Sequence, residues 1–234
     1  MKYLVLFFPL LFISIACHYT RGSGRIISEK RATGDFTGVS ISGPFEVELR
    51  NGPSCEVIVE SDDNIISYIE TNVKRDLLTI NTRKMGNYAN ATMRVFITAP
   101  LVTDISVSAA ANLVSRDPLS AKELIRLNAS SAGRISADIN APGVDAGASS
   151  GASVRLTGRT RSYKANASSG ASLKTYDLLS ENTRVTASSG GNAEVHASIS
   201  LDASASSGGS VSYHGAASVQ KSESSGGRVG KGEK

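Results

Sequence analysis

One stretch decides the fold of this chain: Ala148-Ser149-Ser150-Gly151-Ala152-Ser153-Val154. Its pattern of small residues, here called the Ser-Ser-Gly motif, returns in seven copies between residues 108 and 227. The fourth residues of these copies lie at 110, 132, 151, 170, 190, 208 and 226, so neighbouring copies are 18 to 22 residues apart. Self-similarity at a period of this length is the sequence signature of a repeat architecture.

Small or apolar residues alternate with polar residues or glycine around each motif. In the copy around Ser150, the even positions from 146 to 156 are small or apolar, and the odd positions are polar or glycine. A period of two indicates β-strands with one face inward. A coil of about 19 residues at roughly 3.3 Å each has a perimeter near ~60 Å, which suits a three-sided coil. The sequence therefore predicts an all-β fold, a right-handed parallel β-solenoid of about seven coils.

The second serine of each motif has the parity of the inward side chains. We therefore expect these serines to point inward and to form a ladder of hydroxyl groups along the solenoid axis. The serines concerned are Ser131, Ser150, Ser169, Ser189, Ser207 and Ser225.

The first 16 residues have the order of a signal peptide. Lys2 precedes an apolar run at residues 4–13, which is too short to span a membrane, and Ala16 is a small residue at the expected cleavage site. Cys17 follows directly, which resembles a bacterial lipobox and implies a diacylated thiol. Simple secretion and a retained anchor are the alternatives. We predict a lipoprotein of the outer membrane. It is expected to face the periplasm rather than the cell surface, because residues 18–21 contain no acidic run of the kind that marks surface export.

The chain divides into five predicted parts. A signal peptide covers 1–16, the lipidated cysteine and a tether 17–31, an N-terminal β-rich cap 32–105, the β-solenoid 106–229 and a flexible tail 230–234. Within the cap, alternating residues at 45–49 and 55–59 predict a hairpin. Asp62 or Asp63 is expected to cap a short helix after it, followed by strands at 77–80 and 93–97. Cys55 is expected to be a buried small residue without a disulfide partner.

A series of apolar spacings precedes the repeats: Phe36-x-x-Val39-x-Ile41-x-Gly43, Val47-x-Leu49, Ile69-x-Thr71-x-Val73, Leu78-x-Ile80 and Val95-x-Ile97-x-Ala99-Pro100. Together with the repeated Ser-Gly-Ala and Ser-Gly-Gly steps, this series resembles a known family, the GIN domain (DUF2807), described as the head of autotransporter adhesins. The resemblance covers roughly residues 35–229. It implies a β-solenoid in secreted or lipid-anchored envelope proteins, mostly of Bacteroidetes, and brings no catalytic residues.

Composition and candidate side chains exclude several functions. The net charge is +4, there is no Trp, and no basic stripe with interleaved aromatic residues occurs, so nucleic acid is not an expected partner. His196 and His214 should stack on adjacent coils, but no third ligand falls beside them, so we expect neither a metal nor a cofactor. The acidic residues Asp138, Asp145, Asp177 and Asp202 occupy unequal phases of the repeat, which argues against an acid pair for glycan cleavage.

A possible binding face follows from the repeat. Arg155, Lys174 and Glu194 each lie four residues after a motif mark, so they should form one exposed ladder across three coils. The basic residues of a single coil, Arg155, Arg159, Arg161 and Lys164, could meet an anionic glycan or lipid headgroups.

The sequence thus favours a non-catalytic envelope lipoprotein whose regular surface, without a pocket-forming insertion, binds polysaccharide, a protein partner or another copy of itself. The alternative is a polysaccharide-active enzyme of the pectinase or lyase kind on a β-helix scaffold.

Overall fold

The computed structural model describes residues 19–83 and 87–232. The predicted signal peptide and the predicted lipidation of Cys17 lie outside these residues. In the described chain the regular structure is β-strand apart from one turn of 3₁₀ helix. No helix in these two ranges is long and apolar enough to cross a membrane.

The strands are numbered in chain order. The N-terminal part contains β1 (Tyr19–Arg21), β2 (Ile26–Arg31), β3 (Gly38–Ser42), β4 (Glu46–Asn51), β5 (Glu56–Asp62), the 3₁₀ turn η1 (Ile66–Tyr68), β6 (Ile69–Lys74), β7 (Leu77–Thr82), β8 (Asn87–Ala89) and β9 (Met93–Ala99). The repeat region contains β10 (Asp104–Ser108), β11 (Asn112–Ser115), β12 (Leu119–Ser120), β13 (Leu124–Ala129), β14 (Arg134–Asn140), β15 (Gly143–Ala148), β16 (Ser153–Ala167), β17 (Ser172–Thr175), β18 (Leu178–Ala187), β19 (Asn192–His196), β20 (Ser200–Ala205), β21 (Ser210–His214), β22 (Ser218–Glu223) and β23 (Arg228–Lys231).

Two long parallel stacks form the main sides of a solenoid. The first side stacks, in order, β7, β3, β10, β13, β15, the second halves of β16 and β18, β20 and β22. The second side stacks β9, β4, β11, β14, the first half of β16, β17, β19, β21 and β23. Short pairings between 119–120, 139–140, 158–160 and 178–180 make a third side. The predicted parallel β-solenoid of about seven coils is confirmed.

Aliphatic side chains from successive coils stack inside. On the second side, one ladder of register partners consists of side chains that are at most 2 % exposed: Leu113, Ile135, Val154, Leu173, Ala193 and Val211. Burying each Val, Leu or Ile stabilises the fold by roughly 1.5–3 kcal/mol relative to exposure. The continuous core therefore runs along the axis, as expected for coils that cannot bury their inner faces alone.

The corners at the Ser-Ser-Gly motifs differ from the prediction. Ser150 and Gly151 have φ values of 51° and 71°, and the Ala152 N–H donates to the Ser149 carbonyl at 3.1 Å, which defines a type I′ turn. This turn places the second serine of the motif in solvent, and all six serines expected inside are exposed. The predicted inward hydroxyl ladder is therefore wrong. The predicted alternation of inward and outward residues is nevertheless retained, because a two-residue turn returns the next residue, Ala152, to the interior.

The buried hydroxyl groups lie elsewhere in the interior. Thr175, Ser180 and Thr183 are at most 3 % exposed. The Thr175 hydroxyl donates to the Glu194 carbonyl at 2.6 Å, and the Thr183 hydroxyl donates to the His196 carbonyl at 2.7 Å. These bonds satisfy the polar groups by tying one coil to the next.

The N-terminal region adds two layers to both stacks and closes them with antiparallel strands. The predicted hairpin of β4 and β5 is wrong, because β9 lies between them, parallel to β4 and antiparallel to β5. The strands expected at 77–80 and 93–97 are present as β7 and β9. The expected short helix is reduced to η1, whose N-cap has no side-chain hydrogen bond.

Both predicted ends are more ordered in the structure than expected. In the expected tether at 17–31, β1 pairs with β8 and β2 pairs with β5. In the expected tail at 230–234, Gly230 and Lys231 belong to β23, and the Gly232 N–H donates to the Tyr213 carbonyl at 3.0 Å. Free backbone groups at the edges of a sheet favour such pairing.

Candidate functional site

A groove runs along the third side of the solenoid. It has a volume of about 1430 Å³ and is open to solvent along its length. Its lining residues come from six stretches of the chain: 100–103, 120–126, 140–142, 159–161, 179–181 and 196–198. This surface is called the lateral groove below. The sequence had predicted a surface without a pocket, and the lateral groove corrects that prediction.

The floor of the groove is a backbone ladder. Ser120, Asn140, Arg159 and Leu179 are successive register partners on four neighbouring coils. The Ser198 N–H extends the series by donating to the Ser180 carbonyl at 3.0 Å. The groove needs no inserted loop, because the short third side recurs in these neighbouring coils. Four spacings of roughly 4.8 Å give this ladder a length of ~19 Å.

Positive charge predominates among the charged residues of the groove. Four cations, Lys122, Arg126, Arg159 and Arg161, line it together with two carboxylates, Glu123 and Glu181. Arg126 pairs with Asp104 outside the groove at 3.3 Å. For the other three cations, no carboxylate in the described chain lies within the 4 Å of an ion pair. These three charges are therefore available to an anionic ligand.

Apolar side chains accompany the charges. Leu101 and Leu179 line the groove and are 39 % and 56 % exposed, and Ile199 follows the lining residue Ser198 and is 58 % exposed. Half of the six large apolar side chains that the described part of the chain exposes therefore lie in or beside this groove. A ligand with both negative charge and apolar surface fits such a lining.

The predicted ladder of Arg155, Lys174 and Glu194 is present as a geometric feature. The three residues are register partners on three successive coils of the second side. Arg155 also pairs with Asp177 at 3.7 Å. Beside the row, burial raises the pKa of Tyr176, a hydrogen bond with Ser212 opposes the shift, and the Glu194 carboxylate adds to it. The row lies on a different side from the lateral groove.

The candidate catalytic and metal-binding residues are dispersed. Each acidic residue considered above is engaged by a neighbouring side chain: Asp145 by Lys164 at 3.5 Å, Asp177 by Arg155 at 3.7 Å, Asp202 by Arg184 at 3.0 Å and Asp138 by the Thr157 hydroxyl at 3.3 Å. His196 and His214 are register partners as predicted, and the His214 ring stacks on Tyr176 with centroids 3.8 Å apart. Across residues 19–83 and 87–232, no group of three or more His, Cys, Asp or Glu residues could hold a metal ion.

The basic cluster predicted in one coil separates in space. Arg155 lies on the second side, Lys164 lies on the first side, and Arg159 and Arg161 reach the lateral groove. Lys122 joins the two arginines from another coil. Sequence spacing did not identify Lys122 as a neighbour of these arginines, because the third side carries no recurring residue type that marks its register.

The stacked coils make this chain a protein of the parallel β-solenoid class. The family model described as "Putative auto-transporter adhesin, head GIN domain" (DUF2807) matches residues 35–217, so the chain belongs to that family. The resemblance seen in the sequence is confirmed. The family is one of adhesin-like modules of envelope or extracellular proteins. Among curated proteins, none matches the chain significantly.

Several solved structures share the fold. A "putative adhesin" from Bacteroides fragilis has a TM-score of 0.81 at 16 % identity, covering 90 % of this chain and 98 % of its own. One from Parabacteroides distasonis has a TM-score of 0.70 at 21 % identity, covering 92 % and 100 %. A "putative lipid binding protein" from Parabacteroides distasonis has a TM-score of 0.67 at 16 % identity, covering 92 % and 100 %. At these identities the likeness concerns the fold.

Proposed function

We propose that this protein is a non-catalytic lipoprotein of the outer membrane whose lateral groove binds a segment of acidic polysaccharide. The observation that carries the proposal is the set of three cations in the groove, Lys122, Arg159 and Arg161, that have no carboxylate partner among the described residues. A cleft lined by one sign of charge concentrates ligands of the opposite sign.

The shape of the groove supports an extended polymer. Its ladder runs for ~19 Å along the solenoid axis at roughly 4.8 Å per coil, so a linear chain can contact several coils at once. Leu101 and Leu179 supply exposed apolar surface, against which the carbon-bearing faces of sugar rings can pack. Carboxylate groups along the polymer would then meet Arg159 and Arg161, whose guanidinium groups bind carboxylates in a bidentate manner.

The anchor belongs to the same proposal. The signal-peptide pattern at residues 1–16 and Cys17 directly after it support cleavage and diacylation of Cys17. The envelope or extracellular setting of the family agrees with an outer-membrane lipoprotein, and the sequence at 18–21 favours the periplasmic side. A cofactor is not part of the proposal.

Calorimetric titration with oligogalacturonate tests the groove directly. The neutral control is the same oligomer with its carboxylates methyl-esterified, and we expect it to bind at least about tenfold more weakly, or ~1.4 kcal/mol. Binding of the acidic oligomer should weaken with added salt, because exposed charges are screened. An assay for unsaturated uronate products runs in parallel, and their release would contradict a non-catalytic role.

Two double variants separate the competing surfaces. Arg159→Glu with Arg161→Glu reverses the groove charges, and we expect an affinity loss of about tenfold or more because exposed arginines can form strong charge-assisted bonds. Arg155→Glu with Lys174→Glu reverses the row on the second side and serves as the matched control, with affinity expected within about twofold. The opposite pattern would assign binding to the row of Arg155, Lys174 and Glu194 and reject the groove.

A further inference from the structure

We propose that the N-terminal end of the solenoid rests directly on the surface of the bilayer that holds the lipid anchor. This proposal depends on the lipid at Cys17 put forward above, and it adds the partner and the geometry of the anchored end. The expected tether would have let the folded body move freely above the membrane.

The chain between the anchor and the fold is very short. Strand β1 begins at Tyr19, two residues after Cys17. Two residues of fully extended chain span at most about 7 Å. If Cys17 carries the lipid, the first strand of the body therefore lies within that distance of the lipid attachment point.

Strand β1 and the residues after it are fastened to the body. Tyr19, Thr20 and Arg21 pair in parallel with β8, and the Gly22 N–H donates to the Ala89 carbonyl at 3.1 Å. Register pairing of three consecutive residues holds β1 along its whole length.

A second set of contacts, here called the clamp, comes from the end of β5 and the residues after it. The buried Asp62 carboxylate accepts the N–H of Gly24 at 2.6 Å and that of Thr92 at 2.8 Å. The Asn64 amide donates to the Arg21 carbonyl at 2.9 Å. Hydrogen bonds to a carboxylate are stronger than neutral ones, so the clamp opposes peeling of residues 19–25 from the body.

Close packing at Gly22 supports the same conclusion. A Cβ at this position would lie 2.6 Å from the Asn90 carbonyl oxygen and 2.7 Å from the Asp62 carboxyl carbon. The segment therefore fits the body without space for a larger residue. Such contacts are expected of a fixed connection rather than of a linker.

The surface beside the anchor suits a bilayer interface. Tyr19 is 65 % exposed and Ile26 is 45 % exposed. Three of the four cations in residues 19–31 are already paired with carboxylates: Arg25 with Asp63 at 3.5 Å, Lys30 with Glu56 at 2.8 Å and Arg31 with Glu29 at 3.2 Å. The exposed Tyr19 and Ile26 therefore suit this surface to a bilayer, because tyrosine and apolar side chains favour the interfacial region beside a lipid anchor. The opposite end of the solenoid, at β22, is eight strand spacings from β7, roughly 38 Å along the axis.

Two fluorescent probes distinguish resting contact from free movement. The processed protein carrying Cys55→Ser is labelled at Ile26→Cys or at Ser222→Cys and reconstituted in vesicles of phosphatidylethanolamine and phosphatidylglycerol that contain a headgroup quencher. Both residues are exposed, and they lie near opposite ends of the solenoid. We expect at least threefold stronger quenching at position 26 than at 222. A ten-residue Gly-Ser insertion between residues 18 and 19 should remove the difference, since it leaves every contact of the clamp in place.

The outcomes separate the two proposals. Mass spectrometry of the processed protein first shows whether Cys17 carries diacylglycerol, and its absence would overturn the lipid anchor and, with it, the docking. With the lipid present, equal quenching at the two positions, or a difference that the insertion leaves unchanged, would overturn the docking alone.

Discussion

At the scale of the residue, each Ser-Ser-Gly corner depends on two residues with left-handed backbone. Ser169 has φ 51° and Gly170 has φ 70°, and neighbouring corners are joined by bonds such as Gly170 N–H to the Ser189 carbonyl at 3.1 Å. The period-two pattern predicted the parity of the residues around each corner. It could not show the turn, because the exposed second serine of each turn has the same parity as an inward strand residue.

Substitutions of Ser169 test the left-handed turn. Ser169→Asn should retain or raise the free energy of unfolding, since Asn-Gly is the favoured pair of a type I′ turn. Ser169→Val should lower it by about 1–2 kcal/mol, because a β-branched residue is strained at positive φ. Chemical denaturation measures both. Since the side chain is exposed, a valine variant as stable as the wild type would contradict the turn assignment.

At the scale of the element, the strands that follow several corners approach the preceding coil closely. Alanine occupies the first inward position after the turn at 111, 152 and 171, whereas glycine occupies it at 133, 191, 209 and 227. A Cβ on Gly191 would lie 2.5 Å from the Ala167 carbonyl oxygen. This contact is closer than packed atoms tolerate, so the glycine is required there for space.

Gly191→Ala should therefore lower the free energy of unfolding by about 1–3 kcal/mol, the usual range for overpacking. The matched control is Gly230→Ala, because a Cβ at Gly230 would meet no atom within 4 Å. We expect the control to stay within about 0.5 kcal/mol of the wild type, as for other surface changes. Equal losses of unfolding free energy in the two variants would show that backbone propensity, and not the close approach, determines the effect.

The N-terminal elements show where strand prediction from sequence ends. Alternation at 45–49, 55–59 and 93–97 identified three strands, and all three exist as β4, β5 and β9. Their pairing was not predictable, because β9 inserts between two strands that precede it in the chain. A local turn signal favours a hairpin, whereas the buried residues on β9 favour pairing on both of its edges.

At the scale of the whole molecule, the repeat determines more of the fold than of the site. Its period predicted the number of coils and the register of Arg155, Lys174 and Glu194, since both follow from counting along the chain. The lateral groove could not be predicted by counting residues along the chain. Lys122 reaches it from a linker and Arg161 from the middle of β16, on different coils, and the third side has no repeated residue that marks its position.

The central claim, that the lateral groove is the binding surface, is tested most directly by hydrogen–deuterium exchange with and without bound oligogalacturonate. Amides outside the strands, such as those of Leu101, Lys122 and Glu123, exchange more readily than those of the ladders, so a ligand in the groove should slow them. The account predicts slower exchange in these linkers and unchanged exchange at 172–175 and 192–195 on the second side. Slower exchange confined to the second side, or no change in the linkers at saturating ligand, would contradict it.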